Sequence, residues 1–276
     1  MDDSHPQKDS HASPGVRWAC PRDHISPSAR AWVLSACESG SAVELLPLFP
    51  SRGHHRTPPP RGPVTTFSRA SRFRLLWTCS KLHVEALKDS LFLTLTYPAG
   101  DREASGCKRH LDSFIKRLKR RFPASAAMWK MEYTKRETPH FHLLLLGIPF
   151  WNRRQVASSW AEIVSSANPK HQAAGTRIER LNNSRHALRY LCKYMAKPHP
   201  APATHRGRFW GFTQSLQSFF SAQQAWVLSQ AQTLTLRRVL DKLRRLKVRE
   251  RLCECRSLSR TRRSVRVWAW LRTQAC

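Results

Sequence analysis

Ala126-Ala-Met-Trp-Lys-Met-Glu-Tyr-Thr134 and His140-Phe-His-Leu-Leu-Leu-Leu146, joined by a Lys-Arg-Glu-Thr-Pro turn, decide the fold of this chain. Both runs read as strands, and the turn between them reads as a hairpin. On a strand, residues i and i+2 project from one face. His140 and His142 therefore present two imidazoles side by side, while Phe141 and Leu143 point into the core. A hairpin centred near Arg136 sets Glu132 about opposite His140 on the neighbouring strand. Two imidazoles and one carboxylate are a donor set for a divalent ion, Mg²⁺ or Mn²⁺, with positions left for water and a phosphate oxygen.

Outward from this hairpin the elements alternate. Leu91-Phe-Leu-Thr-Leu-Thr-Tyr97 reads as a strand ended by Pro98 and Gly100. Residues 102–122 read as a helix with Leu111, Phe114, Ile115 and Leu118 on one side and a basic opposite side. Residues 153–165 read as a helix with Val156, Trp160, Ile163 and Val164 inward, and residues 175–181 as a short strand. Residues 185–197 read as a helix stopped by Pro198, and residues 207–212 as a last strand. The expected fold class is α+β: an antiparallel sheet of about five strands with helices packed on one face.

The flanks differ in texture. Residues 1–72 are rich in Ser, Arg and Pro, including Pro58-Pro-Pro60, and are expected to be a low-complexity, disordered extension. Ala31 to Leu48 within it is more apolar and is read as a short helix. Residues 73–213 form the expected catalytic domain. Residues 214–276 are expected to be a basic tail, helical or disordered, with an amphipathic Arg/Lys-dense pattern over residues 234–252.

The chain has 276 residues, 48 basic against 18 acidic, for a formal charge of +30, and a pI near 11.2. Such a balance points to a polyanionic partner, most commonly nucleic acid. The eight cysteines show no Cys-x-x-Cys spacing, which argues against a zinc ribbon and fits a reducing, cytoplasmic compartment. The opening Met-Asp-Asp-Ser-His has no apolar segment behind it, so no secretory signal is expected. The longest apolar stretch, Leu143 to Trp151, is too short to span a membrane.

A second chemical element lies about fifty residues after the histidines: Tyr190-Leu-Cys-Lys193-Tyr194-Met-Ala-Lys197. At about 100° per residue, Leu188, Leu191, Cys192 and Met195 share one side of the helix. Tyr190, Lys193, Tyr194 and Lys197 share the other. The core side is already filled by apolar residues, which leaves the tyrosines facing solvent or a site. A phenol beside an ammonium can be activated as a nucleophile toward a phosphodiester.

These motifs, in this order, resemble those of the rolling-circle replication initiators of the His-hydrophobic-His (HUH) endonuclease superfamily. Leu91 to Pro98 looks like the first motif and Pro139-His-Phe-His-Leu-Leu-Leu145 like the second. Tyr190 to Lys197 is similar to the third, in its two-tyrosine branch of phage and plasmid replication proteins. Gly207-Arg-Phe-Trp-Gly211 is also similar to a segment of such proteins. The resemblance spans about residues 85–213 and implies an RRM-like or ferredoxin-like sheet. It further implies nicking of single-stranded DNA at a replication origin, a 5′-phosphotyrosyl intermediate and final strand joining. It makes His140, His142 and Glu132 the metal ligands and Tyr190 and Tyr194 the nucleophiles, supported by Lys193. Lys197, Thr94, Thr96, Arg208 and Trp210 are the candidate DNA contacts. No Gly-x-x-x-x-Gly-Lys-[Ser/Thr] loop is present, so unwinding and synthesis fall to a host helicase and DNA polymerase. Two alternatives stay open. One is a transposase or relaxase of the same chemistry. The other is a non-catalytic basic binder using aromatics such as Trp151 and Phe209 to stack on bases.

Overall fold

A computed structural model describes residues 16–18, 32–37, 42–47, 62–98, 104–134, 137–149, 151–182, 195, 200–205, 207–245 and 265–268. They fall into two compact units, one within residues 53–220 and the other within residues 1–52 and 221–276.

Residues 53–220 hold a five-stranded, fully antiparallel sheet, so the α+β expectation is met. The elements of this unit include α1 (Arg69–Ser80), α2 (Val84–Leu87), β4 (Ser90–Thr96), α3 (Ala104–Arg121), β5 (Ala126–Tyr133) and β6 (Pro139–Leu146). After these come α4 (Arg153–Ile163), α5 (Pro169–Ala174), β7 (Thr176–Leu181), β8 (Trp210–Phe212) and a 3-10 helix (Gln214–Phe219). The strand order is β7-β4-β6-β5-β8. β6 is central, and its run Leu143–Leu146 is wholly buried, as a strand covered on both faces requires.

One sheet face is covered by α3 and α4. Leu111, Phe114 and Leu118 of α3 and Val156 and Trp160 of α4 are buried there. Trp160 meets Tyr97 and Phe114 edge to face and donates from Nε1 to the Thr96 carbonyl. The helices begin where the sequence supplies caps. Asn152 accepts from the Arg154 N–H at α4, and Asn168 accepts from Lys170 and His171 ahead of Pro169 at α5. α3 ends in Lys119, Arg120 and Arg121, cations that suit the negative end of the helix dipole.

The other face is only partly covered, by α1. Its Cys79 thiol contacts the Met128 sulfur at 3.5 Å, and Ser71 accepts from Trp210 Nε1 at 3.0 Å. Helices thus pack on both faces, where the sequence pattern places them on one. α1 is hidden in the sequence because Arg69-Ala-Ser-Arg sits in a stretch that composition assigns to the extension. Ser68 caps it through the Ser71 N–H, and Phe73, Leu75, Leu76 and Cys79 are buried along it.

The second unit holds a five-stranded sheet, β1-β9-β2-β3-β10. Its strands are β1 (Val16–Trp18), β2 (Trp32–Ala36), β3 (Ala42–Pro47), β9 (Gln223–Leu228) and β10 (Val265–Trp268), and α6 (Gln230–Arg245) follows β9. The expected division at residues 72 and 214 therefore differs from the one found. The segment read as a helix at Ala31 to Leu48 holds two strands, paired Leu34 to Leu45. Buried and half-buried residues alternate along β2, which is strand periodicity rather than helical periodicity. Residues 214–219 likewise belong with the first sheet, with Leu216 fully buried and Ser215 Oγ donating to the Ser125 carbonyl.

Candidate metal centre

The hairpin of β5 and β6 sets Glu132 directly across from His140 and Lys130 across from His142. On the far side of β6, Thr96 pairs with His140 and Thr94 with His142. Paired residues of antiparallel strands share a face, so these six side chains project from the less covered side of the sheet.

Three donor atoms converge there. The Nε2 atoms of His140 and His142 are 3.1 Å apart. Glu132 Oε2 lies 3.6 Å from the first and 3.5 Å from the second. Glu132 is buried, and the histidines are nearly so. Cis donors on a six-coordinate ion with bonds of about 2.1 Å stand about 3 Å apart, which is the spacing found. The buried Nδ1 of His140 meets no hydrogen-bond partner. Both the donor set and its spacing fit a divalent ion, and this Glu-His-His group could hold one. Burial pushes the Glu132 carboxyl up, but hydrogen bonds from His140 and His142 and the Lys130 ammonium outweigh it and hold the group below the usual carboxylate range. Glu132 is thus anionic, as a ligand must be.

The neighbours of the cluster orient it. Thr94 Oγ1 lies 3.1 Å from His142 Nδ1. With Nδ1–H donating to that hydroxyl, the Nε2 lone pair faces the centre. Phe92 stacks on the His142 ring at 5.6 Å. Thr96 Oγ1 donates to the Gly175 carbonyl at 2.9 Å, so it ties β4 to the start of β7 instead of contacting a ligand. Lys130, which sequence reasoning misses, is buried at 1 % exposure and ion-paired to Glu132. Its signal is the same period-2 alternation that places Glu132.

Of the remaining candidates, Trp210 is half-buried and pairs with Lys130 across the sheet, and Arg208 is exposed. Tyr190, Lys193, Tyr194 and Lys197 lie outside the described residues. Met195, expected on the core side of their helix, is fully buried. The chain has four tyrosines, and the other two are in packing roles. Tyr97 is buried and donates to the Cys107 carbonyl. Tyr133 is buried, 2.7 Å from His205 Nδ1, and burial together with Cys107 and Glu137 pushes its phenol up to about 12. Trp151 and Phe209, the stacking aromatics of the binder alternative, are 6 % and 4 % exposed. Trp151 packs on Phe114 and Phe122, and Phe209 on Phe67 and His205, so neither offers a face to a base.

Among the described residues, no helix is long and apolar enough to cross a membrane. No curated protein matches the chain. A solved structure, the hypothetical protein ORF119 from Sulfolobus islandicus rod-shaped virus 1, aligns with 45 % of this chain and 92 % of its own at 16 % identity. Its TM-score is 0.27. Residues 90–199 match the model of the family described as Replication-associated protein ORF2. That stretch runs from β4 through Glu132, His140 and His142 to the tyrosine segment, and over it the chain is similar to replication-associated proteins.

Proposed function

We propose that this chain is a metal-dependent enzyme that nicks and rejoins single-stranded DNA to start rolling-circle replication of a small replicon. The activity is assigned to residues 73–213. The observation that carries the reading is the convergence of Glu132 Oε2 with His140 and His142 Nε2 on an incompletely covered sheet face. The family match supports it, because the matched stretch contains this cluster and both remaining tyrosines.

In this reading Glu132, His140 and His142 hold Mg²⁺ or Mn²⁺, which supplies Lewis-acid polarisation of a phosphoryl oxygen. Tyr190 or Tyr194 attacks phosphorus through its phenol oxygen. A Tyr–O–P bond forms, the P–O3′ bond breaks, and the departing 3′ oxygen takes up a proton as the phenol proton leaves to solvent. The products are a 5′-phosphotyrosyl link and a free 3′-OH that primes synthesis. Attack by a 3′-OH on the phosphotyrosine reverses the step and joins the strand. Lys193 lowers the cost of the phenolate, and a second tyrosine one turn away allows a second transfer without exchange of enzyme. A host helicase and DNA polymerase complete the cycle.

The test is a denaturing gel of the protein incubated with single-stranded oligonucleotides and Mn²⁺. A covalent adduct is expected with Mn²⁺ and none with chelator. Tyr190→Phe and Tyr194→Phe singly identify the first nucleophile, and the double variant gives no adduct. Absence of adduct under all conditions would leave a basic binder, and adduct surviving the double variant would refute the tyrosine assignment.

A further inference from the structure

Lys130 is a cation buried beside a group suited to bind another cation. Leaving such a charge uncompensated away from water costs several kcal/mol, so its placement needs a reason. Strand alternation sets it two residues before Glu132 on the same face. Across the sheet it pairs with His142 on one side and Trp210 on the other. The Phe67 ring caps its ammonium at 5.1 Å, a favourable cation–π position.

The two oxygens of Glu132 have different partners. Oε1 takes the Lys130 ammonium, and Oε2 faces the histidine nitrogens. A carboxylate tied at one oxygen offers only the other to an ion, which leaves more coordination positions for water and substrate. The pair also sums to zero charge. With neutral imidazoles, the cluster then adds no net negative charge to offset a divalent ion, whose full charge remains to attract a phosphodiester.

We propose that Lys130 is a positioning residue that confines Glu132 to one-oxygen ligation and cancels its charge, giving up affinity for the free ion in exchange for attraction to the phosphodiester. This rests on the metal reading given under Proposed function. A lysine that only fills the space under Phe67 would leave both affinities unchanged.

The experiment uses the full chain in the Tyr190→Phe, Tyr194→Phe background, so that the oligonucleotide is not consumed. Mn²⁺ affinity is read from the free-ion paramagnetic signal, and affinity for a single-stranded oligonucleotide is measured with and without Mn²⁺. Lys130→Met is expected to bind Mn²⁺ roughly tenfold more tightly, the effect of removing one charge a few ångströms away in a well-screened site. The same variant is expected to lose most of the gain in oligonucleotide affinity that Mn²⁺ gives the parent. Lys130→Arg, which keeps the charge, should stay closer to the parent on both readouts. A folded Lys130→Met protein with both affinities unchanged overturns the proposal. Should Lys130→Met fail to fold, the Mn²⁺-soaked crystal structure of the parent decides. One Glu132 oxygen on the ion and the other on Lys130 is expected, and both oxygens on the ion overturns it. Neither readout needs strand cleavage, so failure of the nicking assay and failure of the Lys130 role remain distinguishable.

Discussion

Thr94 Oγ1, 3.1 Å from His142 Nδ1, is the only hydrogen-bonding group described at that nitrogen, and it fixes which way the imidazole lone pair points. Partners of this kind commonly change metal affinity by about 10- to 100-fold when removed. Thr94→Val keeps the β-branched shape that suits a strand, so it should weaken Mn²⁺ binding by about that factor in a titration while thermal unfolding stays near that of the parent. An unchanged affinity would mean that the hydroxyl does not orient the ring. Tyr133 gives a contrasting prediction. Its folded phenol titrates near 12 against about 10 in the unfolded chain. The neutral phenol is thus favoured by the fold. Its contribution to stability is full below about pH 10 and is lost as pH rises toward 12. Tyr133→Phe should flatten the fall in stability across that window in alkaline denaturation curves, and it should still form the DNA adduct. An adduct that vanishes with Tyr133→Phe, in a folded protein, would move the nucleophile away from Tyr190 and Tyr194.

At the scale of elements, the hairpin that carries the ligands depends on how β6 ends. Gly147 follows its last residue with φ of +69°, and a Cβ added there would sit 2.8 Å from the Ala124 carbonyl oxygen. Gly147→Ala should therefore destabilise by about 1–2 kcal/mol for the left-handed backbone alone, measured by urea unfolding, with more from the clash. A neutral substitution would show that the turn relaxes freely. The apolar runs of β4, β5 and β6 are legible in the sequence because each is long and bounded by Pro or Gly. The pairing of Glu132 with His140 follows from hairpin spacing. Lys130 is not legible, because a lysine in a strand ordinarily reads as solvent-facing. Its burial depends on α1 and Phe67 folding over that end of the sheet, which is a tertiary effect. β2 and β3 are hidden by flanks rich in Ser, Arg and Pro and by a short apolar stretch whose period a helix and a strand share almost equally.

For the molecule as a whole, a charge of +30 secures attraction to nucleic acid but not chemistry. Binding should weaken steeply with salt whether or not the protein cuts, since counterion release governs both. Composition therefore indicates the partner class and does not separate enzyme from binder. The ligand triad makes that separation, together with the packing roles of Tyr97 and Tyr133, which leave Tyr190 and Tyr194 as the candidate nucleophiles. The most direct measurement is mass spectrometry of the protein after reaction with single-stranded DNA and Mn²⁺, followed by nuclease and protease digestion. The account predicts a nucleotide phosphate attached to the peptide containing Tyr190 and Tyr194, present with Mn²⁺ and lost in His140→Ala, His142→Ala protein. A nucleotide on any other residue, or an equal yield from the histidine variant, would contradict it.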